Sequence, residues 1–168
     1  QKLTALIQGA FLHDVGKIGI SDSILLKPDK LTVDEFETMK RHVYLGKDII
    51  KNSKQLEDAK DVVEYHHEKY DGSEYLKGLK GEEIPINARI YPIADVFDAL
   101  TSKRPYKEPY SYEKTKSMMQ ELSGKHFDPK FLDTFFDIVP ELYNDIKDKY
   151  SDDNIKRLLE EKIYNYVQ

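Results

Sequence analysis

Residues 3–16 read Leu3-Thr4-Ala5-Leu6-Ile7-Gln8-Gly9-Ala10-Phe11-Leu12-His13-Asp14-Val15-Gly16. Leu3, Leu6, Ile7, Ala10 and Phe11 recur at helical spacing, not at the alternation of a strand. The pattern predicts an amphipathic helix ending near Gly16, where a glycine can stop it. No capping residue precedes Leu3, which suits a helix that begins on the surface or upstream of Gln1. The helical period continues outward. Thr32 with Glu35 is a capping box, and it launches a helix with Phe36, Met39, Val43 and Ile49–Ile50 on its apolar face. Ala59, Val62 and Val63 belong to a further helix that leads to His66–His67 and stops at Asp71-Gly72. Ile86–Leu100 reads as a helix with Ile90, Ile93, Ala94, Phe97 and Leu100 inward, kinked or started late by Pro92. Ser111 caps a helix to Leu122, with Gly124 as its stop. Asp128-Pro129 opens the last stretch, predicted as two helices interrupted near Pro140 and again near Ser151–Asp153. Gly16–Lys30, Gly72–Pro85 and Lys103–Tyr110 read as loops. No alternating strand stands out, so the fold class is all-α, a helical bundle.

The chain has 168 residues, a length that fits one domain. We expect a single domain over 1–168, with a core at 3–137 and a helical extension at 138–168. Charged residues make up 34% and hydrophobic residues 39% of the chain, with mean hydropathy −0.66. The longest run without Asp, Glu, Lys or Arg is Leu3–His13, far short of a bilayer span, and no secretory signal is visible; a cytoplasmic location is expected. There is no cysteine, which excludes disulfides and every thiolate metal site. Any transition metal must be held by five histidines and 31 carboxylates. A net charge of −5 argues against general nucleic-acid binding, which leaves a basic footprint.

Chemistry-bearing residues cluster along the helices. His13-Asp14 comes first, then His42, then His66-His67, then Asp95. His42 shares a face with Met39 and Gly46, and His66 lies three and four residues beyond Val63 and Val62, so both are predicted to point inward. Asp95 lies among Tyr91, Ala94, Phe97 and Asp98, an unusual place for a carboxylate unless it is paired or ligates a metal. Imidazole with carboxylate suits zinc, iron, manganese, cobalt or nickel better than calcium. A carboxylate has two oxygens, so Asp14 could bridge two ions roughly 3.5–4 Å apart. Taken singly, a histidine on an apolar face is most often a core residue with a satisfied hydrogen bond. Four of the five histidines fall in this one set, on separate helices that end in loops.

The ordered series of motifs resembles the HD phosphohydrolase superfamily, and within it the HD-GYP group of cyclic di-GMP phosphodiesterases. It comprises Leu12-His13-Asp14-Val15-Gly16-Lys17-Ile18-Gly19-Ile20, Leu26-Lys27-Pro28, Leu31-Thr32, His42 with Gly46, and His66-His67-Glu68 with Asp71-Gly72. Ile84-Pro85, Ala88-Arg89-Ile90, Ala94-Asp95-Val96-Phe97-Asp98-Ala99-Leu100-Thr101-Ser102, Arg104-Pro105-Tyr106-Lys107 and Phe127-Asp128-Pro129 follow, so the match runs from residue 10 to about 136. The resemblance implies an HD-type bundle with a metal site between its helices. It implies His13, Asp14, His42, His66, His67 and Asp95 as metal ligands, with Asp14 bridging and His42, His66 and His67 completing the second ion's shell. Two divalent transition ions are implied, iron or manganese first and zinc, cobalt or nickel as alternatives. Asp14 and Lys17 would be catalytic, Lys17 contacting the scissile phosphate where negative charge grows. Arg104 and Lys107 match positions that hold the dinucleotide's phosphates and guanine, a task that suits arginine's planar fork. Without the motif, Lys17 would be a solvated lysine at a helix C-terminus. Glu68 and Asp71 are read as groups that orient the ligating histidines or shape the loop, Arg89 as equally a family-motif residue or a structural ion-pair partner and so outside the site set, and His126 as a surface histidine near a helix start.

Two places depart from the group's pattern. The Gly-Tyr-Pro triplet that names it is replaced by Glu74-Tyr75-Leu76, which adds a charge and removes a stiffening proline. The group also places a histidine ligand on a helix well upstream, whereas none of the twelve residues before His13 is histidine, aspartate or glutamate. We therefore expect the full protein to continue N-terminally, through the missing helix or helices to a sensory or receiver domain. The leading reading is a phosphodiesterase that hydrolyses cyclic di-GMP to a linear dinucleotide or GMP. The alternatives are an impaired module that binds metal, nucleotide or a signalling partner, and an HD phosphohydrolase of another nucleotide.

Overall fold

The computed structural model describes residues 2–73, 76–103 and 108–149. Helix α1 (Lys2–Leu12) is amphipathic with an unexpected inward face. Ala5 and Gly9 are buried, whereas Leu3, Ile7 and Phe11 are exposed. The reason is close approach: a β-carbon on Gly9 would lie 2.6 Å from Val62 Cβ, so only small residues let α1 settle against the helix that carries Val62. The helix ends at Leu12, earlier than predicted, and the chain tightens into a 3-10 turn at Val15–Gly19. The rest of the predicted loop contains one short helix, α2 (Asp22–Leu25).

The capping box forms as read. The Glu35 N–H donates to Thr32 Oγ1 at 3.3 Å, and the Thr32 N–H donates to Glu35 Oε2 at 2.7 Å. The helix predicted from Thr32 is divided into α3 (Val33–Lys40) and α4 (His42–Ile50). At the junction the Arg41 N–H bonds three residues back, to Thr38 O at 3.1 Å, which tightens the turn and shifts the helical phase. Val43 and Ile50 are therefore buried while Phe36 and Ile49 are exposed. A 3-10 turn at Lys54–Ala59 leads into α5 (Lys60–Tyr65), where Ala59, Val62 and Val63 form the fully buried face. The helix stops at Tyr65 and not at Asp71-Gly72, because turn bonds such as Glu68 N–H to Tyr65 O take over. The two histidines thus sit in the turn that follows α5.

Helix α6 (Ile86–Thr101) starts where predicted and continues through Pro92. Ala88, Tyr91, Ile93 and Phe97 are buried, but Ala94, expected inward, is exposed. Ser111 caps α7 (Tyr112–Gln120), accepting the Lys114 N–H. The backbone then turns at Gly124, whose φ of +74° suits glycine. Asp128 precedes α8 (Pro129–Lys149) and accepts the Lys130 N–H on Oδ1 at 3.0 Å. The helix runs on through Pro140, where an interruption was expected; the one expected near Ser151–Asp153 lies outside the described residues. The all-α expectation holds: no β-strand occurs among the described residues, only an isolated bridge between Ser123 and Phe127. None of the described helices is long and apolar enough to cross a membrane. The chain divides into two compact units, Gln1–Leu132 and Asp133–Gln168. In the second, Phe135 and Phe136 meet edge to face at 5.4 Å.

Candidate metal centre

Backbone packing sets the site. A β-carbon on Gly16 would lie 1.9 Å from His42 O and 2.4 Å from Gly46 N. One on Gly46 would lie 3.0 Å from Val63 Cγ1. The two glycines let the turn after α1 lie directly on the first turn of α4, and α4 on α5. Asp14, His42 and His66–His67 are thereby brought to one point. One ligand atom from each of Asp14, His42, His66 and His67 lies within 4.8 Å of every other.

Asp14 stands at the centre with its two oxygens facing different partners. Oδ1 lies 3.5 Å from His42 Nε2 and 4.0 Å from His66 Nε2. Oδ2 lies 3.2 Å from His13 Nε2 and accepts Lys17 Nζ at 2.6 Å. Three imidazoles are oriented by backbone carbonyls at the far ring nitrogen: His13 Nδ1 to Ala10 O at 2.7 Å, His42 Nδ1 to Met39 O at 2.7 Å, and His66 Nδ1 to Val62 O at 3.0 Å. A carbonyl can only accept, so these bonds assign a proton to Nδ1 and leave a lone pair on Nε2 of His42 and His66, whereas His13 Nε2 also meets Asp14 Oδ2. Asp14 Oδ1, His42 Nε2 and His66 Nε2 are buried without a hydrogen-bond partner. Acceptors cannot satisfy one another, and unpaired buried polar atoms are rare enough to require a cause. A cation held by nitrogen and oxygen donors removes all three deficits at once. The donor set fits a transition metal.

The electrostatics agree. Burial pushes His66 down to about 4, reinforced by the neighbouring His13 and His42. His67 is pushed down by burial and then by His66 and His42, and His42 by burial itself. For Asp14, burial acts upward but is outweighed by hydrogen bonds from His13 and Lys17, which hold the carboxyl well below its usual range. Burial likewise opposes charge on His13, yet its bond to Asp14 leaves it raised. At neutral pH the centre therefore offers the Asp14 anion and, at His42, His66 and His67, neutral imidazoles, the states in which these groups bind metals.

The other expected ligands lie at the edge of this cluster. His13 touches Asp14 but falls outside the group of four. Asp95 is exposed, so its position on α6 is solvated and not the apolar setting expected of it. It accepts the Tyr91 hydroxyl on Oδ1 at 3.2 Å, and its charge acts on His13. Tyr91 itself was read only as a neighbour of Asp95; burial and then that carboxylate hold its phenol above the usual tyrosine range. Arg104, Lys107, Glu74 and Tyr75 lie outside the described residues.

Backbone carbonyls, not Glu68 or Asp71, orient His13, His42 and His66. Glu68 is buried and shapes the loop, accepting the N–H groups of Leu76, Lys77 and Leu79 at 3.3, 2.9 and 3.1 Å. Asp71 accepts the Ser73 N–H at 2.8 Å. Arg89 pairs with buried Asp128 at 2.8 Å, as read. His126 is half-buried and not a surface residue: its carbonyl accepts the Tyr70 N–H at 3.3 Å, and its ring packs on Phe127 at 4.6 Å.

A family model described as HD domain matches residues 2–131. The chain is 46% identical over 154 residues to a Vibrio cholerae protein named "Probable cyclic di-GMP phosphodiesterase", covering 87% of this chain and 35% of that protein. It is 48% identical over 124 residues to the 3'3'-cGAMP-specific phosphodiesterase 2 of Vibrio cholerae, covering 73% of this chain and 24% of that one. It is 44% identical over 135 residues to a cyclic di-GMP phosphodiesterase response regulator of Xanthomonas campestris, covering 79% of this chain and 36% of the relative. The chain thus spans between about a quarter and just over a third of the length of these relatives.

Proposed function

This chain belongs to the HD domain family, and from that premise we propose that it is the metal-dependent phosphodiesterase part of a longer protein, with cyclic di-GMP as substrate. The observation that carries the reading is the set of buried, partnerless acceptors Asp14 Oδ1, His42 Nε2 and His66 Nε2 facing one another. His42, His66 and His67 would hold one ion together with Asp14. His13 and Asp95 would hold a second, with Asp14 shared between the two ions. Bound there, divalent ions supply Lewis acidity toward a phosphodiester and a nucleophile from water at neutral pH. Iron or manganese suits the set first, with zinc, cobalt and nickel compatible.

The chain's own residues have defined tasks in this proposal. The Nδ1 bonds to backbone carbonyls keep the Nε2 lone pairs of His42 and His66 aimed at the centre and unprotonated. Lys17 keeps one ammonium hydrogen on Asp14 Oδ2, and its two remaining donors can meet a non-bridging phosphate oxygen. Arg104 and Lys107 would hold the second phosphate and a guanine edge.

The name of the relative at 48% identity favours 3'3'-cGAMP as a second substrate. The share of the relatives that this chain spans, and the response regulator among them, support a longer signalling protein, in which we place a sensory or receiver segment upstream and the whole in the cytoplasm. The test is to incubate the full-length, iron- or manganese-loaded protein with each dinucleotide and follow products by chromatography. A linear dinucleotide or mononucleotide from cyclic di-GMP is expected. Turnover of 3'3'-cGAMP alone would move the assignment to that substrate, and binding without turnover would reduce the chain to a receptor module.

A further inference from the structure

We infer that Tyr91 is a positioning residue of the metal centre: its hydroxyl fixes one oxygen of Asp95 while its ring walls in His13 and His66. The inference rests on the proposed function above and assigns a residue that the ligand set leaves out. Tyr91 and Asp95 lie one turn apart on α6, so they share a face. The phenol donates to Asp95 Oδ1 at 3.2 Å. Asp95 is otherwise solvated, and a free surface carboxylate samples several rotamers. A donor on Oδ1 selects one of them and leaves Oδ2 available. The donor is uncharged, so it orients the carboxylate without cancelling the charge that attracts a cation; a lysine there would do the opposite.

The ring acts on the other side. Its centroid lies 4.9 Å from that of His13, tilted by 43°, and 6.2 Å from that of His66 at 84°. His13 and His66 themselves stand edge to face at 5.1 Å. The Tyr91 ring of α6 and the histidine rings that directly follow α1 and α5 thus close on one another, and each histidine is fixed both by a backbone carbonyl and by this wall. Apart from Asn87, the other buried residues of the same helix, Ala88, Pro92, Ile93 and Phe97, are apolar. A phenylalanine at position 91 would serve packing equally well, so the hydroxyl answers to Asp95 alone.

The test titrates manganese into full-length, chelator-treated protein by calorimetry, and records the visible spectrum after cobalt loading. Wild type, Tyr91→Phe, Asp95→Asn and the double variant are compared, with circular dichroism as the check on folding. Tyr91→Phe should weaken one of two binding events by about 10- to 100-fold, alter the cobalt spectrum, and leave the melting temperature close to wild type. In the Asp95→Asn background it should add no further loss. Tyr91→Met also lacks the hydroxyl but packs differently, and it is read in the same way should the phenylalanine variant fail to fold. Wild-type affinities in Tyr91→Phe, or an equal loss with Asp95 already replaced, would overturn the inference while leaving the metal centre standing. A wild-type protein that binds no metal would overturn both.

Discussion

Gly16 rests on His42 so closely that a β-carbon would meet the histidine's carbonyl oxygen at 1.9 Å. The contact is backbone on backbone, so no side chain can move aside to relieve it. It also sets the register of the site, since Asp14 and Lys17 flank Gly16 and His42 opens α4. Gly16→Ala must push α4 away and should cost on the order of 3 kcal/mol. Denaturant unfolding checks the stability, and metal titration of the surviving folded fraction should show weakened binding.

The pair Arg89–Asp128 joins α6 to the start of α8 at 2.8 Å, with both side chains largely buried. Arg89 also covers the Phe131 ring at 5.3 Å. Removing one partner strands the other charge, so Arg89→Met should destabilise by about 3–5 kcal/mol. Asp128→Asn in that background restores part of the loss because no buried charge remains. A double-mutant cycle by chemical unfolding measures the coupling.

Glu68 holds the loop after the double histidine by accepting three backbone N–H groups. Glu64 assists by pairing with Lys47 at 2.7 Å and with Lys77 of the same loop. Glu68→Gln places a donor against donors and should cost about 1–3 kcal/mol. Hydrogen exchange at Leu76, Lys77 and Leu79 should quicken well before exchange in α5.

Acid should destabilise the metal-free protein in a defined window. His66 titrates near 4 when folded and near 6.5 when unfolded. Between those values the unfolded chain binds more protons, so stability rises with pH and is lost as pH falls through the window. The shift corresponds to on the order of 3 kcal/mol. His42 and His67 are also depressed and act with the same sign. His13 is raised, so its contribution is present below 6.5 and fades as pH rises through its folded value. Asp14 contributes above its usual 3.8 and is lost only in stronger acid. Melting curves of chelated protein from neutral to acid pH check the sign, and His66→Gln should flatten them.

The helices and the ligand types could be read from residue order because they rest on local rules. Capping at Thr32, proline after Asp128, and the period that turns His42 and His66 inward are decided within one or two turns of chain. What could not be read rests on approach between distant segments. Gly9 and Gly16 look like helix residues or stops until the backbone each admits is known. The same close approach turns Leu3, Ile7 and Phe11 outward, against the bulk-hydrophobic pattern that predicted them inward. The tightened turn at Arg41 and the exposure of Ala94 and Asp95 carry no signal in the residue pattern. Tyr91 carried one local signal, a hydroxyl one turn before an acidic residue, and packing against His13 and His66 gave it meaning.

The central claim is that Asp14, His42, His66 and His67 form a metal centre. Metal content by plasma mass spectrometry, on full-length protein purified without chelator, tests it most directly when wild type is compared with His66→Ala. Two transition-metal ions per wild-type chain and a clear loss in the folded variant are expected. A folded wild-type protein without transition metal, or a His66→Ala variant that retains the full complement, would contradict it.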